Sequence, residues 1–356
     1  MASFTIAEIK EKIDSFPKKN LIPLPTPLRK LENLSQELKG PEIFIKRDDL
    51  TGLAFGGNKS RKLEFIIQDA LDKKADMIIT WASVQSNWCL QTAAAARKFG
   101  IKPVLLLFKT YELPEEYDGN LLLDYILDAD IRIREAEGRN IMREEDIREI
   151  LEEVVNDVKE RGYSPYIAPI GGSMAEGSME KPLGAISYVN AFVEMLEQFG
   201  KDTGVDYVIH ASGSGGTQAG LAVGARALTE NTKVLGISVS EEKESFGKDV
   251  LTIARDTTGA LGVDLTMEKG DIVVFDEYLK EGYGILNKEV SDAIRLVSVK
   301  EAIFLDPVYT GKAMAALLDL VKKGYFKKED KIVYFHTGGT AALFPNKHRL
   351  VNFLKP

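Results

Sequence analysis

The sequence has very few cysteines and histidines, with one cysteine and three histidines among 356 residues. A single cysteine excludes an intrachain disulfide and fits a reducing compartment, so we expect a cytoplasmic protein. Cys89 lies close to the alanine run at residues 93–96, a setting typical of a small buried hydrophobe rather than a nucleophile. His210, His336 and His348 are not spaced as metal ligands, so no metal site is expected.

The sequence also lacks an excess of basic residues and a long apolar run. Acidic residues (54) outnumber basic residues (46), which gives a formal net charge of −8. An acidic chain without a basic block argues against nucleic acid or an anionic membrane surface as a partner. Charged residues interrupt the N-terminal segment, unlike a signal peptide. The uncharged runs at residues 77–96 and 207–225 contain too many polar side chains to span a membrane.

Short strand patterns alternate with helical patterns along the chain. After Lys59, the apolar residues Leu63, Ile66 and Ile67 recur at helical spacing. Strand-like segments occur at residues 43–45, 77–80, 104–108, 207–210, 234–239 and 332–336. This alternation predicts an α/β fold with parallel sheets, and the length favours two α/β units with a crevice between them.

Residues 46–64 contain the first candidate site motif. A polar turn leads to Gly56 and Gly57, and Lys59 then begins an amphipathic helix. Glycine adopts positive φ readily, and a helix N-terminus presents unpaired N–H groups and the positive end of the helix dipole. Lys59 is therefore a candidate either to bind an anion or, with a lowered pKa, to form a Schiff base. The alternative is a solvated lysine in a glycine loop.

The second motif is the turn Ser214-Gly215-Gly216-Thr217, which follows a strand pattern and precedes a helical one. Glycine N–H groups at a helix N-terminus can hold a phosphate, and flanking hydroxyls complete the site. The turn lacks the Lys-Ser/Thr pair of a Walker A loop and the third glycine spacing of a dinucleotide-binding loop. It therefore favours a small phosphorylated cofactor, with a purely structural glycine turn as the alternative.

The third motif is the loop at residues 83–87, which also lies between a strand pattern and a helical pattern. Its hydroxyl, amide and N–H groups suit a carboxylate or a ring oxygen. The alternative is that Ser86 or Asn87 merely caps the following helix. Taken together, the three motifs provide an amine, a phosphate site and an anion-binding loop, which are the parts needed to hold pyridoxal phosphate and an amino acid.

On these motifs, the sequence resembles the D-cysteine desulfhydrase / 1-aminocyclopropane-1-carboxylate deaminase family of fold type II (tryptophan synthase β-like) pyridoxal-phosphate enzymes. The resemblance extends over nearly the whole chain. Its motifs are residues 46–64, Gln85-Ser86-Asn87, Gly119-Asn120-Leu121-Leu122, Gly171-Gly172-Ser173, residues 214–221, residues 306–312 and His336-Thr337-Gly338-Gly339.

The resemblance implies two open, twisted parallel-sheet domains with the cofactor, pyridoxal 5'-phosphate, in the cleft between them. Residues 1–58 and 170–356 would form the large cofactor-binding domain, and residues 59–169 the small domain. It also implies a homodimer.

The resemblance further implies a role for each site residue. Lys59 would form the Schiff base and act as acid and base at the substrate Cα. Asn87 would bond the ring hydroxyl, and Ser86 and its neighbours would bind the substrate carboxylate. The phosphate would be held by Lys62, Ser214, Gly215, Gly216 and Thr217.

Two tyrosines and a threonine complete the implied site. Tyr309 would stack on the pyridine ring and Tyr283 would face the substrate, and both would be catalytic residues together with Lys59. Thr310 resembles the desulfhydrase branch, in which a hydroxyl meets the pyridine nitrogen, whereas the cyclopropane deaminases have an acid there. A hydroxyl leaves the nitrogen neutral and the ring a weaker electron sink, which favours β-elimination over opening of a cyclopropane.

Two departures from the family pattern bear on the substrate. Trp88 stands where the resemblance leads us to expect histidine or glutamine, and residues 177–182 lengthen the glycine-rich segment. We predict a pyridoxal-phosphate lyase that converts D-cysteine to pyruvate, ammonia and sulfide. Alternative substrates are 1-aminocyclopropane-1-carboxylate and cysteate. A protein of another class, a non-catalytic small-molecule binding protein, would leave the amine nucleophile unexplained.

Overall fold

The computed structural model describes residues 3–110, 117–138, 140–200, 204–279 and 282–355. Strands and helices alternate along most of this part of the chain, as the sequence pattern predicts. The strands are β1 (Leu28–Lys30), β2 (Glu42–Lys46), β3 (Met77–Ser83), β4 (Lys102–Lys109), β5 (Asp130–Glu135), β6 (Pro165–Ile167), β7 (Tyr207–Ser212), β8 (Lys233–Ser238), β9 (Val273–Phe275) and β10 (Lys331–Phe335).

The α-helices pack beside these strands. They are α1 (Ile6–Asp14), α2 (Glu32–Leu38), α3 (Lys59–Asp72), α4 (Asn87–Lys98), α5 (Gly119–Ile126), α6 (Arg148–Glu160), α7 (Leu183–Phe199), α8 (Gly216–Leu228), α9 (Lys243–Leu261), α10 (Lys288–Glu301), α11 (Thr310–Lys322) and α12 (Lys347–Leu354). Short 3-10 turns occur at Asp48–Leu50, Leu53–Phe55, Glu144–Ile147, Ile170–Gly172, Lys269–Asp271 and Thr340–Leu343.

The strands form two sheets. Six strands lie in the order β1-β2-β10-β7-β8-β9, and four lie in the order β5-β4-β3-β6. All neighbouring strands are parallel except β1 and β2, which are antiparallel. The parallel α/β architecture predicted from the sequence is therefore confirmed.

The six-stranded sheet takes its strands from two separate stretches, residues 28–46 and 207–335, while the four-stranded sheet uses residues 77–167. Pairing of β2 with β10 brings the two stretches together. The division of the chain into domains at residues 59 and 170 remains a prediction. Helix α3, which begins at the first of these boundaries, packs against α4 of the predicted small domain and also against α7 of the predicted large domain.

Helix α3 lies inside the protein rather than on its surface. Its residues Leu63 and Ile66 are fully buried, and they share one apolar cluster with Ile78 of β3, Ile186 of α7 and Ala219 of α8. Burial of such side chains stabilises each position by about 1.5–3 kcal/mol. The helix that begins at Lys59 is therefore buried between elements from both parts of the chain, with α4 and α7 packed against it.

Within the described residues, no helix combines the length and the apolar character that crossing a membrane requires. In the same part of the chain, His, Cys, Asp and Glu side chains nowhere gather in the groups of three or more that a metal ion needs. Cys89 is a buried thiol, as its sequence context predicts.

Candidate active site

A cavity lies between the two sheets, where the loops after β3, β7, β8 and β10 meet the start of α3. Strand β3 belongs to the four-stranded sheet, and the other three belong to the six-stranded sheet. Loops at the carboxyl ends of parallel strands gather at one edge, which is the usual place for a ligand in α/β proteins. All three sequence motifs contribute residues to this cavity.

Two adjacent glycines bring Lys59 to the cavity. Gly56 and Gly57 have φ values of +77° and +132°, as the sequence predicted for this turn. A Cβ on Gly56 would lie 2.0 Å from the carbonyl oxygen of Asp49, and Gly57 forms a β-bridge with Gly338. The turn therefore requires glycine, and Lys59 follows it as the first residue of α3 and lines the cavity.

The amine of Lys59 has the properties of a nucleophile. Its Nζ donates to Oδ1 of Asn58 over 3.1 Å. Burial lowers the pKa of Lys59 to about 8, although the negative charge of Asp306 opposes the shift. A substantial fraction of such an amine is neutral near neutral pH, and the neutral form is the one that attacks a carbonyl carbon.

Asn58 is a site residue that sequence reasoning missed. Its Nδ2 donates to Oγ1 of Thr217 over 3.1 Å, and its backbone N–H donates to the carbonyl oxygen of Thr337. Asn58 thus connects the lysine turn to two loops of the six-stranded sheet. The only sequence signal was its place between Gly57 and Lys59.

The turn after β7 lies at the cavity and has the features that suit an anion. Ser214, Gly215 and Thr217 line the cavity, and Thr217 is the second residue of α8, where backbone N–H groups have no partner within the helix. Gly216 does not line the cavity, and its N–H donates to Oγ of Ser173 over 3.2 Å. That hydroxyl also lies 2.8 Å from Oγ of Ser214.

Lys62 is almost completely buried and does not line the cavity. Its Nζ lies 5.8 Å from the centre of the Tyr188 ring. Burial, reinforced by the charge of Lys59, holds the pKa of Lys62 well below its ordinary value. In the described part of the chain no carboxylate forms an ion pair with Lys62, and the charge that acts on it is that of the neighbouring Lys59.

The loop after β3 caps a helix and also lies at the cavity, so both alternatives from the sequence are open to it. The hydroxyl of Ser86 accepts from the N–H groups of Trp88 and Cys89, both over 3.1 Å, and so caps α4. It retains its own proton as a donor, and Ser86 lines the cavity together with Asn87. Capping and ligand binding are therefore compatible at Ser86.

Trp88 contributes an apolar surface rather than a donor. Its side chain lines the cavity, but Nε1 donates to Oγ1 of Thr80 over 2.6 Å. Because Thr80 in turn donates to the carbonyl oxygen of Ala168, the indole N–H is fixed away from any ligand. The ring alone is left to contact a substrate.

Tyr283 and Tyr309 both line the cavity and contact each other. Their hydroxyl oxygens are 2.5 Å apart, and the rings meet edge to face with centroids 6.0 Å apart. Thr310 is buried and does not line the cavity. Its hydroxyl donates to Oδ1 of Asp306 over 2.6 Å and accepts the N–H of Asp306 over 2.7 Å.

Asp306 is a second residue that sequence reasoning did not assign. Its carboxylate is fully buried and accepts backbone N–H groups of Val308, Tyr309 and Thr310. Burial raises the pKa of Asp306, while these hydrogen bonds oppose the rise. The carboxylate fixes the turn that presents Tyr309.

The cavity wall also contains residues without a motif in the sequence. They come from the segment after β5 and from the loop after β8, and they are Asn140, Ile141, Met142, Ser240 and Glu241. Burial raises the pKa of Glu241, and the charge of Asp249 adds to the rise. No spacing rule could have identified these residues, because their position depends on how the two sheets meet.

These residues fit pyridoxal 5'-phosphate. The helix N-terminus of α8 suits a phosphate group, and the Lys59 amine suits an aldehyde. Asn87 offers an amide to a ring substituent. The fold and the site are thus those of an α/β enzyme with a phosphorylated carbonyl cofactor.

Comparison with known proteins agrees with this class. Residues 20–338 match the family described as pyridoxal-phosphate dependent enzyme. A Pyrococcus furiosus protein, provisionally named a 1-aminocyclopropane-1-carboxylate deaminase, is 40% identical over 98% of this chain and 99% of its own length. D-cysteine desulfhydrase of Yersinia enterocolitica is 40% identical over 94% of this chain and 98% of its own length. The crystal structure of an ACC deaminase homologue matches with a TM-score of 0.85 at 36% identity, covering 97% of this chain and 99% of that chain.

The chain belongs to the family of pyridoxal-phosphate-dependent enzymes. The predicted family, cofactor and fold type are therefore confirmed. The roles of individual site residues remain predictions.

Proposed function

We propose that this enzyme is a lyase that removes the β-substituent of a small amino acid, with D-cysteine as the favoured substrate. The supporting observation is the amine of Lys59, which has a pKa of about 8 and lies in a cavity with hydroxyl and amide groups. Relatives with 40% identity named D-cysteine desulfhydrase support the substrate. The overall reaction takes up one water and releases pyruvate, ammonia and hydrogen sulfide.

The chain's own groups supply binding and proton transfer. When bound, pyridoxal phosphate supplies an aldehyde that condenses with amines and a ring that stabilises negative charge at the substrate Cα. The neutral amine of Lys59 would remove the Cα proton and then give a proton to the departing sulfur, which leaves with the bonding electron pair as hydrogen sulfide. Such general acid–base catalysis contributes roughly 10²–10⁴ in rate.

The remaining site residues would orient the two ligands. Ser86 would donate its hydroxyl proton to the substrate carboxylate, and Asn87 would hydrogen-bond the ring oxygen of the cofactor. Tyr309 would pack on the ring and Tyr283 would face the substrate, with their hydroxyl groups in contact. The only donor of Trp88 is bonded to Thr80, so its ring would contact the substrate as an apolar surface. The bulk of this ring would limit the size of the substrate side chain.

The charges on the cavity wall favour a substrate whose side chain is uncharged. Among the described residues that line the cavity, Lys59 is the one basic side chain and Glu241 the one acidic side chain. A second anionic group on the substrate, as in cysteate, would have no cation to pair with and would face Glu241. We therefore place D-cysteine ahead of cysteate.

1-Aminocyclopropane-1-carboxylate is the second candidate substrate, because two related proteins carry the name of its deaminase or of a homologue. It has no Cα proton, so its ring opening requires more electron withdrawal from the cofactor. In the predicted arrangement Thr310 would stand between the ring nitrogen and the Asp306 carboxylate, to which its hydroxyl donates, so no carboxylate would contact the nitrogen and keep it protonated. This residue makes the cyclopropane the less favoured substrate.

A substrate panel tests the proposal. The purified enzyme should absorb at roughly 410–420 nm with its cofactor bound, and Lys59→Ala should lose this band. D-cysteine, L-cysteine, cysteate and 1-aminocyclopropane-1-carboxylate are supplied in parallel, and 2-oxo acid and sulfide are measured. Release of 2-oxo acid from the cyclopropane but not from D-cysteine would contradict the substrate assignment. Absence of any cofactor band would contradict the whole proposal.

We also propose a cytoplasmic homodimer. The single buried thiol suits a reducing compartment. Large apolar side chains are exposed on α5, on the Leu53–Phe55 turn and next to α12, including Ile126 (69%), Phe55 (65%) and Phe344 (60%), and exposed apolar side chains often mark interfaces. Sedimentation analysis should give twice the chain mass, and Phe344→Asp should shift the mass towards the monomer. A monomeric wild-type protein would contradict the dimer.

A further inference from the structure

Asn120 contacts the cavity residue Asn87 without lining the cavity itself. It lies in the first turn of α5 and is fully buried. Its Nδ2 donates to the backbone carbonyl oxygen of Gln85 and to Oδ1 of Asn87, both over 2.8 Å. Its backbone N–H donates to Oε1 of Gln85 over 2.9 Å.

These contacts determine which way the amide of Asn87 faces. A backbone carbonyl only accepts hydrogen bonds, so the side of Asn120 that faces Gln85 is its NH₂ group. The same NH₂ group faces Asn87, which must therefore present its oxygen. An amide has one oxygen and one nitrogen, so Nδ2 of Asn87 lies on the opposite side, where it would be 3.0 Å from a Cβ on Gly339.

Two further observations support a role for this contact. Oδ1 of Asn120 is buried without a hydrogen-bond partner, which is an unfavourable arrangement, so only the nitrogen of this side chain makes hydrogen bonds. Gly119 has φ of +56°, and a Cβ there would lie 2.7 Å from Oε1 of Gln85. Glycine at this position therefore allows α5 to approach the loop closely.

We propose that Asn120 is a positioning residue that fixes Asn87 as a hydrogen-bond donor toward the ring oxygen of pyridoxal phosphate. The inference rests on the proposed function of Asn87. A donor fixed in this way favours an anionic ring oxygen and disfavours a ring hydroxyl that must donate its own proton. Asn120 acts on the cofactor only through Asn87.

A double-mutant cycle tests this coupling. Equilibrium binding of pyridoxal 5'-phosphate is measured for the wild type, Asn120→Leu, Asn87→Ala and the double variant. Asn120→Leu should weaken binding about tenfold in the wild-type background, as loss of a charge-assisted hydrogen bond predicts. In the Asn87→Ala background the same substitution should change binding less than twofold. Equal losses of binding in both backgrounds would overturn the proposal, since a residue with a merely structural role would weaken binding by the same factor with or without Asn87.

A spectrum and two further variants keep the test decisive. In Asn120→Leu the pH midpoint of the bound cofactor's visible band should shift, because the ring oxygen loses a fixed donor, and an unshifted midpoint would overturn the proposal. If Asn120→Leu does not fold, Asn120→Ser replaces it in the cycle.

Asn346, a buried asparagine that donates to the carbonyl oxygen of Ala342, provides the matched control. The variant Asn346→Leu should leave binding of pyridoxal phosphate unchanged. Failure of the wild type to bind pyridoxal phosphate would instead overturn the proposed function.

Discussion

The pKa of about 8 at Lys59 predicts how pH controls capture of pyridoxal phosphate by the cofactor-free protein. Only the neutral amine attacks the aldehyde. At pH 7 about 10% of the amine is neutral with this pKa, compared with about 0.03% at the ordinary lysine value. Burial therefore increases the reactive fraction about 300-fold. This fraction rises about tenfold per pH unit well below pH 8 and levels off above about pH 9.

Rapid mixing of the cofactor-free protein with pyridoxal phosphate measures this dependence through the growth of the visible band. Between about pH 6 and pH 10, the second-order rate constant should rise with a midpoint near 8 and then reach a plateau. Reaction of the cofactor with a blocked lysine under the same conditions corrects for its own ionisation. The Lys59→Ala variant should form no band, because Lys62 does not line the cavity.

One result would refute the reasoning. If the corrected rate constant continued to rise tenfold per pH unit up to pH 10, the amine of Lys59 would have an ordinary pKa. Burial would then not be what activates it.

Three further predictions concern the residues around the site. Glu194 of α7 accepts hydrogen bonds from the guanidinium of Arg61 in α3 over 2.9 Å. Burial raises the pKa of Glu194, but the hydrogen bonds and charge of Arg61 outweigh this and lower it to about 2. The ionised carboxylate therefore stabilises the fold above about pH 4.5, and this stabilisation disappears as the pH falls towards 2. In urea unfolding, the stability difference between the wild type and Glu194→Gln should thus shrink by about 3 kcal/mol over that range, and a constant difference would contradict this. Gly57→Ala should retain far less cofactor after dialysis than Gly52→Ala, because both glycines have positive φ but only Gly57 has neighbours within 4 Å; equal retention would argue against the role of the glycine turn. Thr310→Glu should lower turnover of D-cysteine at least tenfold, since a carboxylate changes the ionisation of the ring nitrogen, and unchanged turnover would show that this argument is wrong.

The local features of the site could be read from the sequence. Strands and helices alternate with clear periodicity, so the parallel α/β class followed from the pattern alone. Gly56 and Gly57 before Lys59 predicted a positive-φ turn that leads into a helix, and Ser214 to Thr217 predicted an anion site. In each case the information lies within a few consecutive residues, because turn and cap geometry depend on local sterics and unpaired N–H groups.

The tertiary structure decided what these local features do together. The bond from Asn58 to Thr217 and the bond from Asn120 to Asn87 join segments that lie 159 and 33 residues apart. The burial that lowers the pKa of Lys59 likewise depends on helices from distant parts of the chain, because α4 and α7 pack against α3. Hydrogen bonds and desolvation between distant segments leave no periodic trace in a sequence, so they appear only once the two sheets meet around the cavity.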